Sequence, residues 1–269
     1  MHTESSKFIP YIYKMTHQRP LFLLSNDDGY EAKGLQCLIE ALRPVADLLV
    51  MAPEDGRSGA GCSISAATPL RYRIVRQEPG LTLCACSGTP VDCVKVALNE
   101  FADRRPDLVV GGINHGDNSS VNTHYSGTMG VVTEGALQGI PSVAFSLCDH
   151  SANADFAPLM PYLADIALKT LNAKLPPFTC LNVNFPKAAS FKGIRLCRMA
   201  HSRWEHELAR REHPWGGTYF WLVGDCRELE PEADDTDRYA LAHGYIAITP
   251  TQLDVTDYKL KEHLKSIFL

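Results

Sequence analysis

The chain has 269 residues and a formal net charge of −5, with 45% hydrophobic and 21% charged residues, which is ordinary for a soluble globular protein with a sizeable core. The lack of a long basic run argues against a nucleic acid or a membrane surface as the main partner. No apolar run approaches the ~18 residues that a bilayer-spanning helix needs. We therefore expect a globular protein with neither kind of partner.

Nine cysteines are spread through apolar segments, and the sequence contains no C-x-x-C pair. An odd number without metal-binding spacing argues against a zinc site or a disulfide framework. It favours reduced cysteines used as small hydrophobic residues in a cytoplasmic protein. Residues 1–20 lack the apolar core and cleavage site of a secretory signal, so we expect a flexible N-terminal extension there.

From residue 21 to about residue 180, apolar runs typical of strands alternate with segments of helical periodicity. The predicted strands span residues 21–25, 47–53, 81–87, 107–114 and 142–147. The predicted helices lie within residues 33–45, 90–102, 126–139 and 155–173, and residues 54–65 form a loop rich in glycine and serine. Because the strands are apolar on both faces, this order predicts an α/β fold with a parallel sheet covered by helices.

The pattern changes after about residue 180. Strand-like runs occupy residues 180–186, 193–199 and 244–250, residues 224–237 form an acidic loop, and residues 254–269 have helical periodicity to the end. Residues 201–224 have two polar and aromatic arms around the turn signal HPWGG, which predicts a long hairpin. The hairpin is apolar enough that we expect it to pack against another protein surface, and a neighbouring subunit is one candidate.

Polar side chains follow three of the predicted strands. In an open parallel sheet, ligands bind beyond the carboxyl ends of the strands. Asp27 and Asp28 follow the first strand, and Gly29 makes a turn easy, so the two carboxylates can converge. A hard divalent cation would relieve their repulsion, and Ser58 and Asn114 supply neutral oxygen donors, a set that suits Mg²⁺ or Mn²⁺. The alternative is an ordinary turn with a helix cap.

Ser126, Gly127 and Thr128 lie where a helix begins. Unpaired backbone N–H groups and the positive end of the helix dipole make such a terminus a ready phosphate cradle. The alternative is a plain Ser/Thr N-cap. A divalent metal site and a helix N-terminus close to each other together suggest chemistry on a phosphate ester.

In these and further sequence blocks the chain resembles the SurE (survival protein E) nucleotidases, a family of metal-dependent 5′-nucleotidases. The matching blocks appear in the family's order and include LLSNDDG (23–29), VMAPEDGRSGAG (50–61), PDLVVGGINHGDN (106–118), YSGTMGVVTEG (125–135) and TDRYALAHGYIAITPTQLDVT (236–256). The resemblance covers nearly everything from Leu21 to the last helix. Residues 202–235 and the N-terminal extension depart from the family's pattern.

The resemblance implies a Rossmann-like catalytic domain in residues 21–180, with a mostly parallel sheet flanked by helices. Residues 181–269, in the same structural unit, would carry a protruding hairpin and a terminal helix that assemble a homodimer or homotetramer. It also implies hydrolysis of nucleoside 5′-monophosphates, in some members 3′-monophosphates or short polyphosphate, with one Mg²⁺ or Mn²⁺ per subunit. The implied metal ligands are Asp27, Asp28, Ser58 and Asn114. The residues expected to contact the phosphate or line the pocket are Asn26, Asn118, Ser126, Gly127 and Thr128.

In this mechanism Asp27 and Asp28 are the catalytic residues, because they anchor the metal and one of them could accept a proton from the attacking water. His115 and His124 could each serve as a general acid, touch the base, or simply pack. The aromatic residues of the hairpin could stack on a nucleobase, although packing or subunit contacts are the simpler interpretation.

Two alternative functions stay open, and a third is disfavoured by the sequence. An exopolyphosphatase or a broad acid phosphatase would use the same metal site. A nucleotide-binding module without hydrolysis would keep the phosphate cradle but need no metal. A nicotinamide-dependent dehydrogenase is disfavoured, since NDDGYEAKG and not G-x-G-x-x-G follows the first strand.

Overall fold

The structure is a computed structural model that describes residues 19–101, 104–151 and 153–269. The predicted N-terminal extension, except for its last two residues, lies outside the described residues. The strands are β1 (Leu21–Ser25), β2 (Asp47–Pro53), β3 (Tyr72–Glu78), β4 (Leu81–Cys86), β5 (Leu108–His115), β6 (Ser142–Leu147), β7 (Thr179–Phe185), β8 (Ile194–Leu196), β9 (Ser202–Glu205), β10 (Leu208–Glu212), β11 (Thr218–Leu222), β12 (Asp225–Glu228) and β13 (Ile246–Gln252). The α-helices are α1 (Lys33–Leu42), α2 (Pro90–Glu100), α3 (Gly127–Leu137), α4 (Met160–Asn172), α5 (Asp237–Ala242) and α6 (Tyr258–Phe268).

A nine-stranded sheet runs through the centre of the fold in the order β3-β4-β2-β1-β5-β6-β7-β13-β8. The six strands from β4 to β7 are mutually parallel, whereas β3 and β13 run antiparallel to β4 and β7. The predicted α/β fold with a mostly parallel sheet flanked by helices is therefore confirmed. Across the sheet the six parallel strands lie in the order β4-β2-β1-β5-β6-β7. Numbered along the chain, these are the third, second, first, fourth, fifth and sixth parallel strands, which is the Rossmann order.

Successive side chains of β1 point to opposite faces of the sheet, so this strand contributes to the hydrophobic core on both faces. Phe22 and Leu24 pack into one cluster together with Leu35 of α1, and Leu23 packs on the opposite face with Val94 of α2 and Val132 of α3. All of these side chains are buried. Since both faces are covered, the strands are apolar throughout, as parallel strands in α/β proteins are.

The helices begin and pack where their residues dictate. In α2, Thr89 and Asp92 form a reciprocal capping box and Pro90 occupies the first turn, where its missing N–H costs nothing. Gly34 lets α1 approach β5 closely, because a Cβ at that position would lie 2.1 Å from the carbonyl oxygen of Ile113. This contact fixes the start of α1 against the end of β5, at the edge of the sheet where the polar residues lie.

Residues 202–228 form the predicted hairpin as two successive antiparallel pairs, β9 with β12 and β10 with β11. One part of the sequence prediction is wrong here: β12 falls inside the segment that we expected to be an acidic loop. Its register places Cys226 opposite Trp204, so pairing with β9 across the hairpin makes it a strand despite its polar sequence. No helix of the described residues is long and apolar enough to cross a membrane.

Candidate active site

The turn after β1 is the centre of the candidate site. Gly29 has φ +102°, a conformation that favours glycine, and the side-chain Nδ2 of Asn26 donates to the carbonyl oxygen of Gly29 at 2.9 Å. The backbone N–H of Tyr30 donates to the carbonyl oxygen of Pro53 at 2.9 Å, which ties the turn to the end of β2. The chain thus bends directly after β1, as predicted from the sequence, and carries Asp27 and Asp28 on the bend.

Asp27 is buried and contacts the start of α3. One carboxylate oxygen accepts from the backbone N–H of Gly127 at 3.2 Å, and the other accepts from the hydroxyl of Thr128. Burial raises the pKa of Asp27 to about 6; the charge of Asp28 adds to the rise, and the bond from Thr128 opposes it. The structure therefore brings Asp27 together with two of the residues that were predicted to hold phosphate.

The N-terminus of α3 is capped by Ser126, whose hydroxyl oxygen accepts from the backbone N–H of Met129 at 2.9 Å. This is the N-cap that the sequence offered as the alternative to a phosphate cradle, and it leaves part of the terminus open. Among the described residues, none accepts from the backbone N–H of Thr128. That donor, together with the positive end of the helix dipole, remains available to an anion.

Asp28 lies on the other side of the turn, toward β5. Its carboxylate accepts from the backbone N–H of His115 at 3.2 Å. Burial raises the pKa of Asp28, and the bond from His115 opposes this. Asn114 is buried beside it and donates its Nδ2 to the carbonyl oxygen of Gly116 at 2.8 Å, while no described residue donates to its amide oxygen. The ends of β1 and β5 thus meet at the point where the strand order reverses, which is where open α/β sheets bind ligands.

Ser58 lies on the exposed loop after β2. Two backbone bonds attach this loop to the site: the N–H of Arg57 donates to the carbonyl oxygen of Asp27 at 2.6 Å, and the N–H of Gly61 donates to that of Tyr125 at 3.1 Å. Ser58 therefore follows directly after a residue that is bonded to the Asp27 backbone. The structure brings all four predicted metal ligands to one edge of the sheet.

The donor set fits a hard divalent cation. Burial raises the pKa of both Asp27 and Asp28, which means that their charged forms are unfavourable here. A bound cation would offset the cost of holding these two negative charges. The remaining donors are oxygen atoms of Asn114 and Ser58. The buried amide oxygen of Asn26 in the same turn has no hydrogen-bond partner among the residues that the structure describes. In the part of the chain that the structure describes, no group of three or more His, Cys, Asp or Glu side chains is placed to hold a metal. Oxygen ligands with two carboxylates suit Mg²⁺ or Mn²⁺ better than zinc.

Asn118 lies in a buried polar network. Its backbone N–H donates to the amide oxygen of Asn184 at 2.8 Å, and its own Nδ2 donates to the hydroxyl of Ser146 at 2.8 Å. Asn182 donates to the Asn118 carbonyl at 2.7 Å. These bonds hold the loop between β5 and α3. The sequence held a signal for this, because Asn182 and Asn184 are two apart on a buried strand and so share one face.

Asp237 is another residue that the sequence analysis did not single out. Its carboxylate accepts from the backbone N–H of Ser120 at 2.8 Å and from that of Ala200 at 3.0 Å. Ser120 has φ +55°, an uncommon conformation for a residue with a side chain, and it belongs to the loop that leads into α3. Asp237 therefore supports the loop between β5 and α3, which we call the site loop, from the C-terminal part of the chain.

The two candidate histidines differ in their surroundings. The ring of His115 is half-buried and packs edge-on against Phe156 with ring centroids 4.9 Å apart. His124 is exposed at the end of a 3₁₀ helix, Ser120–His124. A role for either in proton transfer stays a prediction.

Comparison with known proteins decides the family. The family model described as "Survival protein SurE" matches residues 22–206. The chain belongs to the SurE family. A protein of Phocaeicola vulgatus named 5′-nucleotidase SurE is 56% identical over 252 residues, which cover 94% of this chain and 98% of the other. Its counterpart in Bacteroides fragilis is 51% identical and is covered to 99%.

A solved structure supports the same assignment. The crystal structure of the SurE protein from Aquifex aeolicus aligns with a TM-score of 0.79 and 34% sequence identity, covering 92% of this chain and 99% of that one. The family predicted from the NDDG, RSG, GIN and YSGT blocks is therefore confirmed.

Proposed function

We propose that this chain is a divalent-metal-dependent 5′-nucleotidase that hydrolyses nucleoside 5′-monophosphates to a nucleoside and phosphate. The observation that carries the proposal is the bend after β1, which places Asp27 against the start of α3 and Asp28 against the end of β5. The groups that would bind an anion and those that would bind a cation thereby lie at one edge of the sheet. The relatives of 56% and 51% identity that are named 5′-nucleotidase SurE support it.

Asp27, Asp28, Ser58 and Asn114 would hold one Mg²⁺ or Mn²⁺ ion. Such an ion would offset the negative charge that the phosphate develops during hydrolysis. The backbone N–H of Thr128, from which no described residue accepts, would hold a phosphate oxygen at the positive end of the α3 dipole. Among the described residues only His115 donates to Asp28, so this carboxylate keeps acceptor capacity for a proton from the attacking water.

The decisive variant is Asp28→Asn, because asparagine retains an oxygen that can accept from the His115 backbone while the charge is removed. We expect phosphate release from nucleoside 5′-monophosphates to fall to background. The assay compares a panel of 5′- and 3′-monophosphates and polyphosphate after EDTA treatment, then with Mg²⁺ or Mn²⁺ restored. Thermal unfolding with and without Mn²⁺ provides a second measurement, since an ion that binds only the folded state raises the unfolding temperature of the wild type.

The matched control is Asp55→Asn, which removes an exposed carboxylate from the neighbouring loop. We expect it to retain both activity and stabilisation by Mn²⁺. Substantial turnover by Asp28→Asn would contradict its role, and faster hydrolysis of polyphosphate than of nucleotides by the wild type would favour the polyphosphatase alternative. A folded wild type that binds nucleotide without releasing phosphate would favour the binding module.

We propose further that residues 181–269 assemble the chain into a homodimer or homotetramer. The support is apolar surface: α6 buries none of its residues, and its Ile267 and Phe268 are 61% and 76% exposed. The double variant Ile267→Ser/Phe268→Ser should lower the mass measured by light scattering. An unchanged mass would place the interface elsewhere.

All nine cysteines are free, which supports a cytoplasmic location.

A further inference from the structure

One arginine, Arg238, connects the hairpin to the site loop. It belongs to α5, and its Nε donates to Oε1 of Glu228 in β12 at 3.0 Å. Its Nη1 lies 3.4 Å from Oδ2 of Asp117, the second residue of the site loop. A single guanidinium therefore faces one carboxylate of the hairpin and one carboxylate of the site loop.

Asp117 depends on Arg238 for its counter-charge. The side chains of Asp117 and Arg238 are only 15% and 25% exposed. Among the described residues, no other lysine, arginine or histidine has a side-chain nitrogen within 4.0 Å of the Asp117 carboxylate. A carboxylate that stays largely buried after losing its cation keeps the cost of desolvation without the compensating attraction. We therefore expect Asp117 to leave its place when the cation is removed.

Asp117 in turn holds two residues of the site loop. Its Oδ2 accepts from the hydroxyl of Ser119 and lies 3.4 Å from Nδ2 of Asn122. Asn122 also contacts the hairpin directly, because its Oδ1 accepts from the indole N–H of Trp204 at 3.1 Å. The site loop is thus attached to the hairpin through Asp117 and through Asn122, and these two side chains contact each other.

The contacts of Asn122 continue to the start of α3. Its carbonyl oxygen accepts from the backbone N–H of Tyr125 at 3.1 Å, and the next residue, Ser126, caps α3. Two residues further on, the hydroxyl of Thr128 donates to the carboxylate of Asp27. A displacement of Asn122 therefore shifts the helix end that contacts Asp27 and that offers an N–H group to an anion.

We propose that Arg238 is a positioning residue for the reaction. By neutralising Asp117, it keeps the site loop in the conformation that sets the start of α3 for phosphate hydrolysis. The kinetic part of this inference rests on the proposed function. Because Arg238 also holds Glu228, the position of the hairpin is coupled to the geometry of the active site. A misplacement of about 1 Å at an active site can cost about 100-fold in rate, so even a small shift is measurable.

The first variant is Arg238→Gln, which removes the cation. We expect its kcat/KM for adenosine 5′-monophosphate to fall about 10-fold or more. Adding Asp117→Asn should restore most of this loss, because the uncompensated charge is gone and the amide oxygen can still accept from Ser119 and Asn122. Adding Glu228→Gln to Arg238→Gln should restore nothing, since Glu228 is not part of the site loop.

The matched control is Arg227→Gln. Arg227 is an arginine of β12 that pairs with Glu205 of β9 at 3.3 Å, so it forms an ion pair within the hairpin. This control should retain the kcat/KM of the wild type. Arg238→Lys keeps the charge, but its ammonium cannot meet both carboxylates as the planar guanidinium does, so its kcat/KM should lie between those of the wild type and Arg238→Gln. Circular dichroism tests whether each variant is folded, and Arg238→Lys decides if Arg238→Gln is not.

A wild-type kcat/KM in Arg238→Gln or in Arg238→Lys would overturn the inference. An equal loss in Arg227→Gln would overturn it as well, because any ion pair of the hairpin would then have the same effect. Failure of Asp117→Asn to rescue Arg238→Gln, or rescue by Glu228→Gln, would show that the charge of Asp117 is not the cause.

Fluorine NMR separates this inference from the proposed function, because it needs no hydrolysis. Labelling with 5-fluorotryptophan gives one resonance for each of the three tryptophans, and Trp204→Phe assigns that of Trp204. We expect Arg238→Gln to shift the Trp204 resonance and to leave the other two, of Trp215 and Trp221, in place. This result would support the coupling of hairpin and site loop even if the wild type released no phosphate. Unchanged resonances and an unchanged kcat/KM, in a chain that hydrolyses nucleotides, would leave the enzyme proposal standing and remove this one.

Discussion

Replacing Asp237 by alanine removes the acceptor of two buried backbone N–H groups. Ser120 donates to one oxygen of this carboxylate, and Ala200 donates to the other, which also accepts from the part-buried backbone N–H of Arg238. The substitution gives the N–H groups of Ser120 and Ala200 no new acceptor, because alanine has no polar side-chain atom. The first consequence is therefore a loss of stability, and it falls on the loop that leads into α3.

The magnitude follows from the cost of stranded donors. A buried N–H left without an acceptor costs about 1–3 kcal/mol, so two cost about 2–6 kcal/mol. Burial raises the pKa of Asp237, which means that holding its charge inside the fold is itself unfavourable and that removing it returns part of the loss. We expect Asp237→Ala to lower the free energy of unfolding by about 2–4 kcal/mol. Asp237→Asn keeps one acceptor oxygen and should lose about half as much.

Urea unfolding followed by far-UV circular dichroism measures both losses. Asp234→Ala, which removes an exposed carboxylate three residues earlier, is the control and should change the free energy of unfolding little. A loss below about 1 kcal/mol for Asp237→Ala would refute the reasoning, because two stranded donors cannot cost so little. Equal losses for alanine and asparagine would refute the assignment of Ser120 and Ala200 to different oxygens of the carboxylate.

The pH dependence has a definite sign. The folded-state pKa of Asp237 lies above its ordinary value of 3.8, so between these two values the folded state holds more protons than the unfolded state. Stability from this group therefore falls as pH rises through that window. Asparagine does not titrate, so Asp237→Asn lacks this pH dependence. The advantage of the wild type over Asp237→Asn should be largest below the window and smaller above it.

Two further predictions concern the site and the C-terminal part. In Gly127→Ala the new Cβ would lie 2.7 Å from the Cβ of Asp27, so α3 must shift and kcat/KM should fall about 100-fold, whereas Gly56→Ala, with its nearest atom at 3.7 Å, should retain activity. Equal activity of the two variants would contradict this. The hydrogen bond from Arg198 lowers the pKa of Glu230 to about 2 from its ordinary 4.5, so its stabilisation is present above pH 4.5 and is lost as pH falls toward 2. The difference in unfolding free energy between the wild type and Glu230→Gln should therefore shrink over that range, and a difference that grows would exclude the ion pair as its source.

The sequence alone was sufficient for the main architecture, because its signals are local. Strands buried on both faces must be apolar throughout, and helices between them must carry an apolar stripe, so β1, β2, β5 and β6 and the helices α1–α3 were predictable from their residues. The same holds for the turn at Asp27 and Asp28, where polar residues follow a buried strand. The family was equally accessible from these blocks.

Elements on the edge of the sheet were not accessible in this way. β3 is exposed along nearly its whole length, so it has no apolar alternation, and it is a strand because β4 offers an open edge to pair with. β12 is a strand for the same reason within the hairpin. In both, the pairing partner decides the conformation and the local residues do not.

The tertiary structure alone decided how the site loop is held. Asp237 reaches Ser120 across 117 positions of the chain, and Asn184 reaches Asn118 across 66. Asp237 stands at the end of an acidic run that looks solvated, and Asn118 looks like a residue for substrate contact. Which polar group a buried N–H finds depends on the distance after folding, and no spacing in the sequence encodes that distance.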